Sequence, residues 1–182
     1  MPRFFFALNP APEQRVALVA QAAPQVTQLQ AQPVTAENLH VTLCFVGAVE
    51  DERVEALRAA ASVVRGAPAI LNFDALEYWD SSKILCATAR ESGEAPVAGF
   101  ARRLGEVLVA AGFTPDIKPF RAHFTLGRKV RAELATGVEW PLRLAETLVL
   151  SADRFALMDS RRNEAGSVYS VVESWPLYEE RS

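Results

Sequence analysis

The sequence has little histidine and little cysteine, with two residues of each among 182. The two cysteines, Cys44 and Cys86, are too few for a disulfide framework, and their spacing is not that of a zinc site. Both lie in apolar, strand-like runs, so we expect them to be buried free thiols. Two histidines supply too few ligands for a metal, and no acidic cluster or cysteine pair is spaced to help them. We therefore predict no metal and no other cofactor.

Long apolar runs are also absent, and none approaches the roughly 20 residues of a membrane span. The apolar run at 4–8 is too short for the core of a signal peptide, and Asn9, Pro10 and Pro12 end it. Half of the residues are hydrophobic and 23% are charged, which is typical of a globular protein. We expect a soluble cytoplasmic protein with one domain over residues 1–182. Nothing in the sequence requires an oligomer or a membrane partner, so we expect a monomer.

The two histidines open the same pattern, since His40 and His123 are each followed by an apolar residue, a threonine and an apolar residue. In an extended strand, residues i and i+2 lie on one face, roughly 6–7 Å apart. His40 therefore shares a face with Thr42, and His123 shares a face with Thr125. The apolar residues between them would point into a core. Two such strands side by side would present two imidazoles and two hydroxyls to one small polar ligand.

The net charge of −3 argues against a general nucleic-acid coat protein, but the charge is unevenly distributed. Cations surround the second motif, and the sequence from 118 to 131 contains no acidic residue. Such a patch beside candidate catalytic groups suits a phosphate-bearing ligand. The alternative is a solvated strand end that happens to be basic. The cations are Lys118, Arg121, Arg128, Lys129 and Arg131.

The remaining pattern predicts alternating helices and strands without a linker or low-complexity segment. Helices are expected at 13–23, from the acidic residues 50–52 to Val64, and at 94–111 with Gly112 as the C-terminal cap. Strands are expected at 3–8, 38–46, 70–79, 83–89 and 122–128. A strand-rich tail follows at 147–150, 154–158 and 168–172, with a polar loop at 161–166. The pattern indicates an α+β architecture in which helices back antiparallel sheets and a cleft separates two lobes.

These residues resemble the 2H phosphoesterase superfamily, which is named for two His-apolar-Thr-apolar motifs. The resemblance is greatest to the bacterial RNA 2′,3′-cyclic phosphodiesterases, also described as 2′-5′ RNA ligases. It extends over 3–8, 37–47, 118–128 and the tail at 155–177, and so covers nearly the whole chain. It implies a bilobal fold in which two pseudo-twofold related antiparallel sheets line a central cleft and carry helices on their outer faces.

The resemblance also implies an activity, the metal-independent opening of an RNA 2′,3′-cyclic phosphate to a 2′-phosphomonoester. His40 would be the proton donor to the leaving oxygen, and His123 would be the proton acceptor from water. Thr42 and Thr125 would bind the non-bridging oxygens, and Arg128 would add positive charge. Strict alternation from His123 places Arg128 on the core face, so this role requires a bulge or a strand end near Gly127.

Two positions depart from the family's pattern. Cys86 stands where many relatives carry tryptophan, which puts base stacking from that position in doubt. Lys83 stands where arginine is common, which makes a bidentate phosphate contact there uncertain. One of the three aromatic residues at 4–6 could stack on a base, although alternating positions of that strand are expected to be core.

Other functions remain open on the sequence. A non-catalytic protein could bind a nucleotide or an RNA end in the same cleft, although binding alone does not need two groups that titrate near neutrality. The site could also join RNA ends through a 2′-5′ linkage. The substrate could be an RNA fragment or a small cyclic nucleotide.

Overall fold

The computed structural model describes residues 2–89, 94–163 and 166–178. The described helices are α1 (Pro12–Gln28), α2 (Val54–Ser62), α3 (Glu94–Ala110) and the short α4 (Ala132–Ala135). The strands are β1 (Arg3–Leu8), β2 (Gln32–Pro33), β3 (Val41–Ala48), β4 (Ala69–Trp79), β5 (Ile84–Ala89), β6 (His123–Arg128), β7 (Leu142–Ala152), β8 (Arg154–Asn163) and β9 (Gly166–Pro176). None of the described helices is long and apolar enough to cross a membrane.

The described strands form one curled sheet of nine strands in the order β7-β4-β5-β6-β3-β1-β8-β9, with β2 on β6. Each half of this order has four antiparallel strands. The halves join where β3 meets β6, and this junction is a single residue pair, Val41 opposite Phe124. The two expected sheets are therefore halves of one continuous sheet. The predicted α+β class, with helices backing antiparallel strands, is confirmed.

One face of the sheet is covered by helices and contains the main core. Helix α1 contacts β6 and β7, whereas α3 contacts β3, β4 and α2. Along β1, Phe4 and Phe6 point into this core. Phe5 points to the opposite face, where it joins a small cluster with Ala156 and Met158. That opposite, concave face is called the cleft below, and the alternation of β1 brings Phe5 to it.

Several boundaries differ from the prediction. Helix α1 runs through Pro24 to Gln28 rather than ending at 23. The strand expected at 38–46 begins at Val41, because residues 36–38 form a 3-10 turn. Residues 51–53, which include the acidic Asp51 and Glu52, also form a 3-10 turn, and α2 ends at Ser62 rather than at Val64. A Cβ on Gly66 would lie 2.5 Å from the ring of Phe100, so close packing requires a glycine at this position.

The tail strands are longer than predicted. β7, β8 and β9 each span ten or eleven residues. Most of the polar loop expected at 161–166 belongs to the β8–β9 pairing, and residues 164–165 lie outside the described ranges. These strands carry polar side chains on their exposed face, so hydrophobicity alone underestimates their length. Helix α3 ends one residue before its predicted limit, and Gly112 has the positive φ of +79° expected of a C-terminal cap.

Candidate active site

The two histidine–threonine segments lie side by side at the centre of the sheet. β3 and β6 run antiparallel around the pair Val41 and Phe124. This register places each histidine across from the threonine of the other segment. All four polar side chains are partly exposed, whereas the apolar residues between them are buried in the main core. The facing predicted from strand alternation is confirmed.

Both imidazoles are held by the same backbone contact. Nδ1 of His40 lies 2.7 Å from the carbonyl oxygen of Asn38. Nδ1 of His123 lies 2.8 Å from the carbonyl oxygen of Arg121. A carbonyl only accepts hydrogen bonds, so each Nδ1 carries the proton and donates it. In the neutral ring, Nε2 is therefore the basic nitrogen of both histidines, available for proton transfer.

His40 packs among uncharged rings. The Phe5 ring lies 4.7 Å from the imidazole, centroid to centroid, and the Tyr169 ring meets it edge-on at 5.1 Å. Burial, together with the positive charges of Arg128 and His123, lowers the pKa of His40 to about 4. The effect of His123 on this pKa means that the two imidazoles interact electrostatically.

His123 packs against Trp79, with ring centroids 4.5 Å apart. The Arg121 guanidinium lies over the Trp79 ring, at 5.0 Å from its centroid. Burial lowers the pKa of His123, and the charges of Arg121 and Arg128 add to the lowering. Both histidines therefore have depressed pKa values in the absence of a bound anion.

Glu77 organises the surroundings of His123. Its carboxylate accepts hydrogen bonds from Arg121 at 2.7 Å, from the Thr88 hydroxyl at 2.9 Å and from the indole N–H of Trp79 at 3.0 Å. Glu77 is not among the site residues that the sequence predicts. Its contact with Trp79 could have been predicted, because Glu77 and Trp79 are two residues apart in a predicted strand and so share a face. Their pairing with Arg121, however, depends on the fold.

The threonine hydroxyls are available for a ligand. Within the described part of the chain, neither the Thr42 nor the Thr125 hydroxyl has a hydrogen-bond partner. A hydroxyl with a free O–H can donate to an anionic oxygen.

Arg128 reaches the cleft through a bulge. Leu85 of β5 pairs with Gly127, whereas the next residue, Cys86, pairs with Thr125, so Leu126 is the extra residue of β6. The bulge reverses the alternation and leaves Arg128 exposed, beside the cleft. A Cβ on Gly127 would lie 2.8 Å from that of Ala31, so this position excludes larger residues. The bulge that the sequence analysis requires near Gly127 is present.

The basic patch expected around the second motif is largely paired with acids that lie outside residues 118–131. Lys118 bonds Asp116, and Arg131 bonds Glu133, each at 2.6–2.7 Å. Arg121 forms a salt bridge with Glu77, as described above. Arg128 has no acidic partner within residues 2–89, 94–163 and 166–178. Arg128 is therefore the member of the patch that combines a free charge with a place beside the histidines.

The remaining predicted residues lie near the site without entering it. Both cysteines are buried free thiols, as predicted, and burial raises the pKa of Cys44 to about 11 and also raises that of Cys86. Cys86 lies opposite Thr125, and the nearby aromatic ring is that of Trp79. Lys83 donates to Asp80 at 2.6 Å in the β4–β5 turn. No three His, Cys, Asp or Glu side chains in the described ranges cluster closely enough to hold a metal ion.

Comparison with known proteins finds similar phosphoesterases. A family model for LigT-like phosphoesterases matches residues 7–84, which include the first motif. The RNA 2′,3′-cyclic phosphodiesterase of Escherichia coli K12 is 27% identical over 178 residues, 96% of each chain. The Archaeoglobus fulgidus protein of the same name is 33% identical over 98 residues, which cover 52% of this chain and 54% of that protein.

Solved structures show the same fold. Escherichia coli LigT complexed with 3′-AMP superimposes with a TM-score of 0.86 at 24% identity, over 98% of this chain and all of that one. A protein from Thermus thermophilus superimposes with a TM-score of 0.75 at 27% identity, also over 98% of this chain and all of that one. The resemblance seen in the two motifs is confirmed. The chain is therefore similar to the LigT-like phosphoesterases over nearly its whole length.

Proposed function

We propose that this phosphoesterase hydrolyses RNA 2′,3′-cyclic phosphate ends to 2′-phosphomonoesters by acid–base catalysis with its two histidines. One observation carries the proposal. The two His-x-Thr segments meet antiparallel, each imidazole is fixed through Nδ1, and an unpaired arginine lies beside them. The names of the Escherichia coli and Archaeoglobus relatives support the substrate class.

The reaction needs one proton acceptor and one proton donor. A water oxygen attacks phosphorus as Nε2 of His123 takes a proton from that water. The bond from phosphorus to the 3′ oxygen breaks, and His40 gives its Nε2 proton to the leaving oxygen. The phosphate remains on the 2′ oxygen. Each such group typically contributes about 10²–10⁴-fold to the rate.

The threonines and the arginine act on the oxygens that do not leave. Thr42 and Thr125 donate hydrogen bonds to the non-bridging oxygens, and Arg128 places positive charge beside them. Donors fixed in advance stabilise the charge that develops in the transition state. No step of this scheme uses a metal ion.

The pKa of His40 is about 4 in the free protein. The bound substrate must therefore raise this pKa before His40 can act as the proton donor. The cyclic phosphate carries a negative charge, and an adjacent anion favours the protonated imidazole. We therefore expect a bell-shaped pH profile in which the kcat optimum lies at higher pH than the kcat/KM optimum. The first profile reports the substrate complex, and the second reports the free enzyme.

The test is incubation with a short RNA that ends in a 2′,3′-cyclic phosphate, with and without EDTA. We expect equal hydrolysis in both and a 2′-phosphate product. Formation of a 3′-phosphate would contradict the assigned leaving group, and loss of activity in EDTA that added metal restores would contradict the metal-free scheme. Tight binding without turnover would favour a non-catalytic RNA-end binder.

We also propose that residues 1–182 act as one domain of two intertwined lobes, as a cytoplasmic monomer. Light scattering of the purified protein tests the oligomeric state, and fractionation of cells tests the compartment.

A further inference from the structure

A cavity of about 900 Å³ opens beside the histidine site. It shares two residues with that site, because Arg128 and Tyr169 line it and the Tyr169 ring contacts His40. Ligand pockets for molecules the size of a nucleotide have about 300–1,000 Å³. A single reacting phosphate would fill only a small part of this volume, so the cavity has room for a further group of the substrate.

The walls of this cavity suit a nucleotide. On one side, the Arg3 guanidinium lies over the Phe45 ring, at 5.3 Å from its centroid. Arg161 lines the cavity together with Ser160 and Ser167. Guanidinium groups bind phosphate, and aromatic or guanidinium planes stack on unpaired bases. We call this space the Arg3–Arg161 cavity.

The charge of the cavity also favours an anion. Three arginines, Arg3, Arg128 and Arg161, line the cavity with one acid, Asp51; because Asp159 neutralises Arg161 from outside the lining, one positive charge is left in excess. Arg161 donates through Nε to Asp159 at 2.6 Å, and this bond positions the side chain while its terminal nitrogens remain for a ligand. Arg3 has no acidic partner in the described part of the chain.

A second basic cavity also touches Arg128, but two of its three other cations are engaged. Lys83 is bonded to Asp80, and Arg131 is bonded to Glu133. A phosphate there would compete with these acids. It also lacks an aromatic ring among its lining residues. Of the two directions in which a substrate could continue from Arg128, the Arg3–Arg161 cavity is therefore the better supported.

We propose that the Arg3–Arg161 cavity binds the nucleotide on the 5′ side of the reacting end. The inference rests on the proposed function. A 2′,3′-cyclic phosphate closes the 3′ end of an RNA, so the chain continues from it only in the 5′ direction. Arg161 and Arg3 contact the connecting phosphate, and the Arg3–Phe45 pair stacks on the base. The protein therefore prefers an oligonucleotide to a cyclic mononucleotide.

The experiment compares adenosine 2′,3′-cyclic phosphate with a trinucleotide that ends in the same group. The proteins are the unchanged chain, Arg3→Gln, Arg161→Gln, and Arg102→Gln as a matched control on the exposed surface of α3. We expect the unchanged chain to favour the trinucleotide in kcat/KM. Each cavity variant should lower this preference about fivefold, since each loses one charge-assisted phosphate contact. Arg102→Gln should leave the preference unchanged.

Salt gives a second readout. Removal of one phosphate contact should make the slope of log kcat/KM for the trinucleotide against log salt shallower by about 0.7. Equal losses on both substrates, or no loss, with Arg3→Gln would overturn the subsite while the proposed hydrolysis stands. Failure of the unchanged protein to hydrolyse either substrate would overturn both. Arg161→Gln leaves Asp159 unpaired and could destabilise the fold. Arg3 has no acidic partner among the described residues, so Arg3→Gln tests the subsite without this complication.

Discussion

The first histidine lies among uncharged rings, whereas the second lies against a charged network. His40 contacts Phe5 and Tyr169. His123 contacts Trp79, which is held by Glu77. The backbone anchors are equivalent, so the difference is confined to what packs around each ring.

This difference fits the two proposed roles. A general base must be unprotonated before the substrate arrives, and a depressed pKa provides that state in both histidines. A general acid must be protonated when the bond breaks. Around His40 the neighbouring rings carry no charge, so the negative substrate is the group that can raise its pKa. Around His123, the charges of Glu77 and Arg121 belong to the protein and persist without substrate.

The largest expected effect is the loss of either histidine. His40→Gln and His123→Gln should each lower kcat by about 10²–10⁴-fold, because each removes one proton-transfer group. The two variants should differ on a substrate whose leaving 3′ oxygen is replaced by sulfur. A thiolate leaves without a proton, so this substrate should partly restore His40→Gln and leave His123→Gln inactive. Rescue of His123→Gln instead would reverse the assignment, and full activity of either variant would refute it.

A smaller effect is expected at Glu77, which we regard as a positioning residue. Glu77→Gln should lower kcat about tenfold, as expected when a positioned base is misaligned. The unpaired Arg121 charge should also lower the pKa of His123 further, and so move the acid limb of kcat/KM to lower pH.

The matched control for Glu77 is Glu173→Gln. Glu173 is also a partly buried glutamate paired with an arginine, Arg58, but it lies on β9 and contacts α2. This variant should leave the pH profile in place. A Glu77→Gln protein with reduced stability and an unmoved acid limb would mean that Glu77 has only a structural role.

Local patterns predicted the parts of the site that depend on neighbouring residues. Alternation correctly placed His40 and Thr42 on one face, and the same rule identified the conflict at Arg128 that the bulge resolves. The contacts of Glu77 could not be predicted in this way. Its partner Arg121 is 44 residues away, and only the pairing of β4, β5 and β6 brings the two together.

Charge patterns in the sequence predicted the contacts of the folded protein least well. The sequence from 118 to 131 reads as an unopposed basic run, yet folding pairs Lys118, Arg121 and Arg131 with acids. Asp116 and Glu133 lie only two residues outside the run and neutralise its ends, whereas Glu77 reaches Arg121 only through the fold. For the aromatic run at 4–6, alternation predicted core at alternating positions but not which ring would lie beside His40, and the fold shows that it is Phe5.

The smallest expected effect is on stability, and it tests the buried surroundings of His40. The folded pKa of His40, about 4, lies below its ordinary value of 6.5, so the unfolded chain binds a proton more readily. This contribution to stability is complete above pH 6.5 and is lost as the pH falls toward 4. Between pH 7 and pH 5.5 it amounts to about 1 kcal/mol. Denaturant unfolding at both pH values should therefore show a smaller loss in His40→Gln than in the unchanged protein. An equal loss in the two proteins would mean that His40 titrates normally and that its rings do not exclude water.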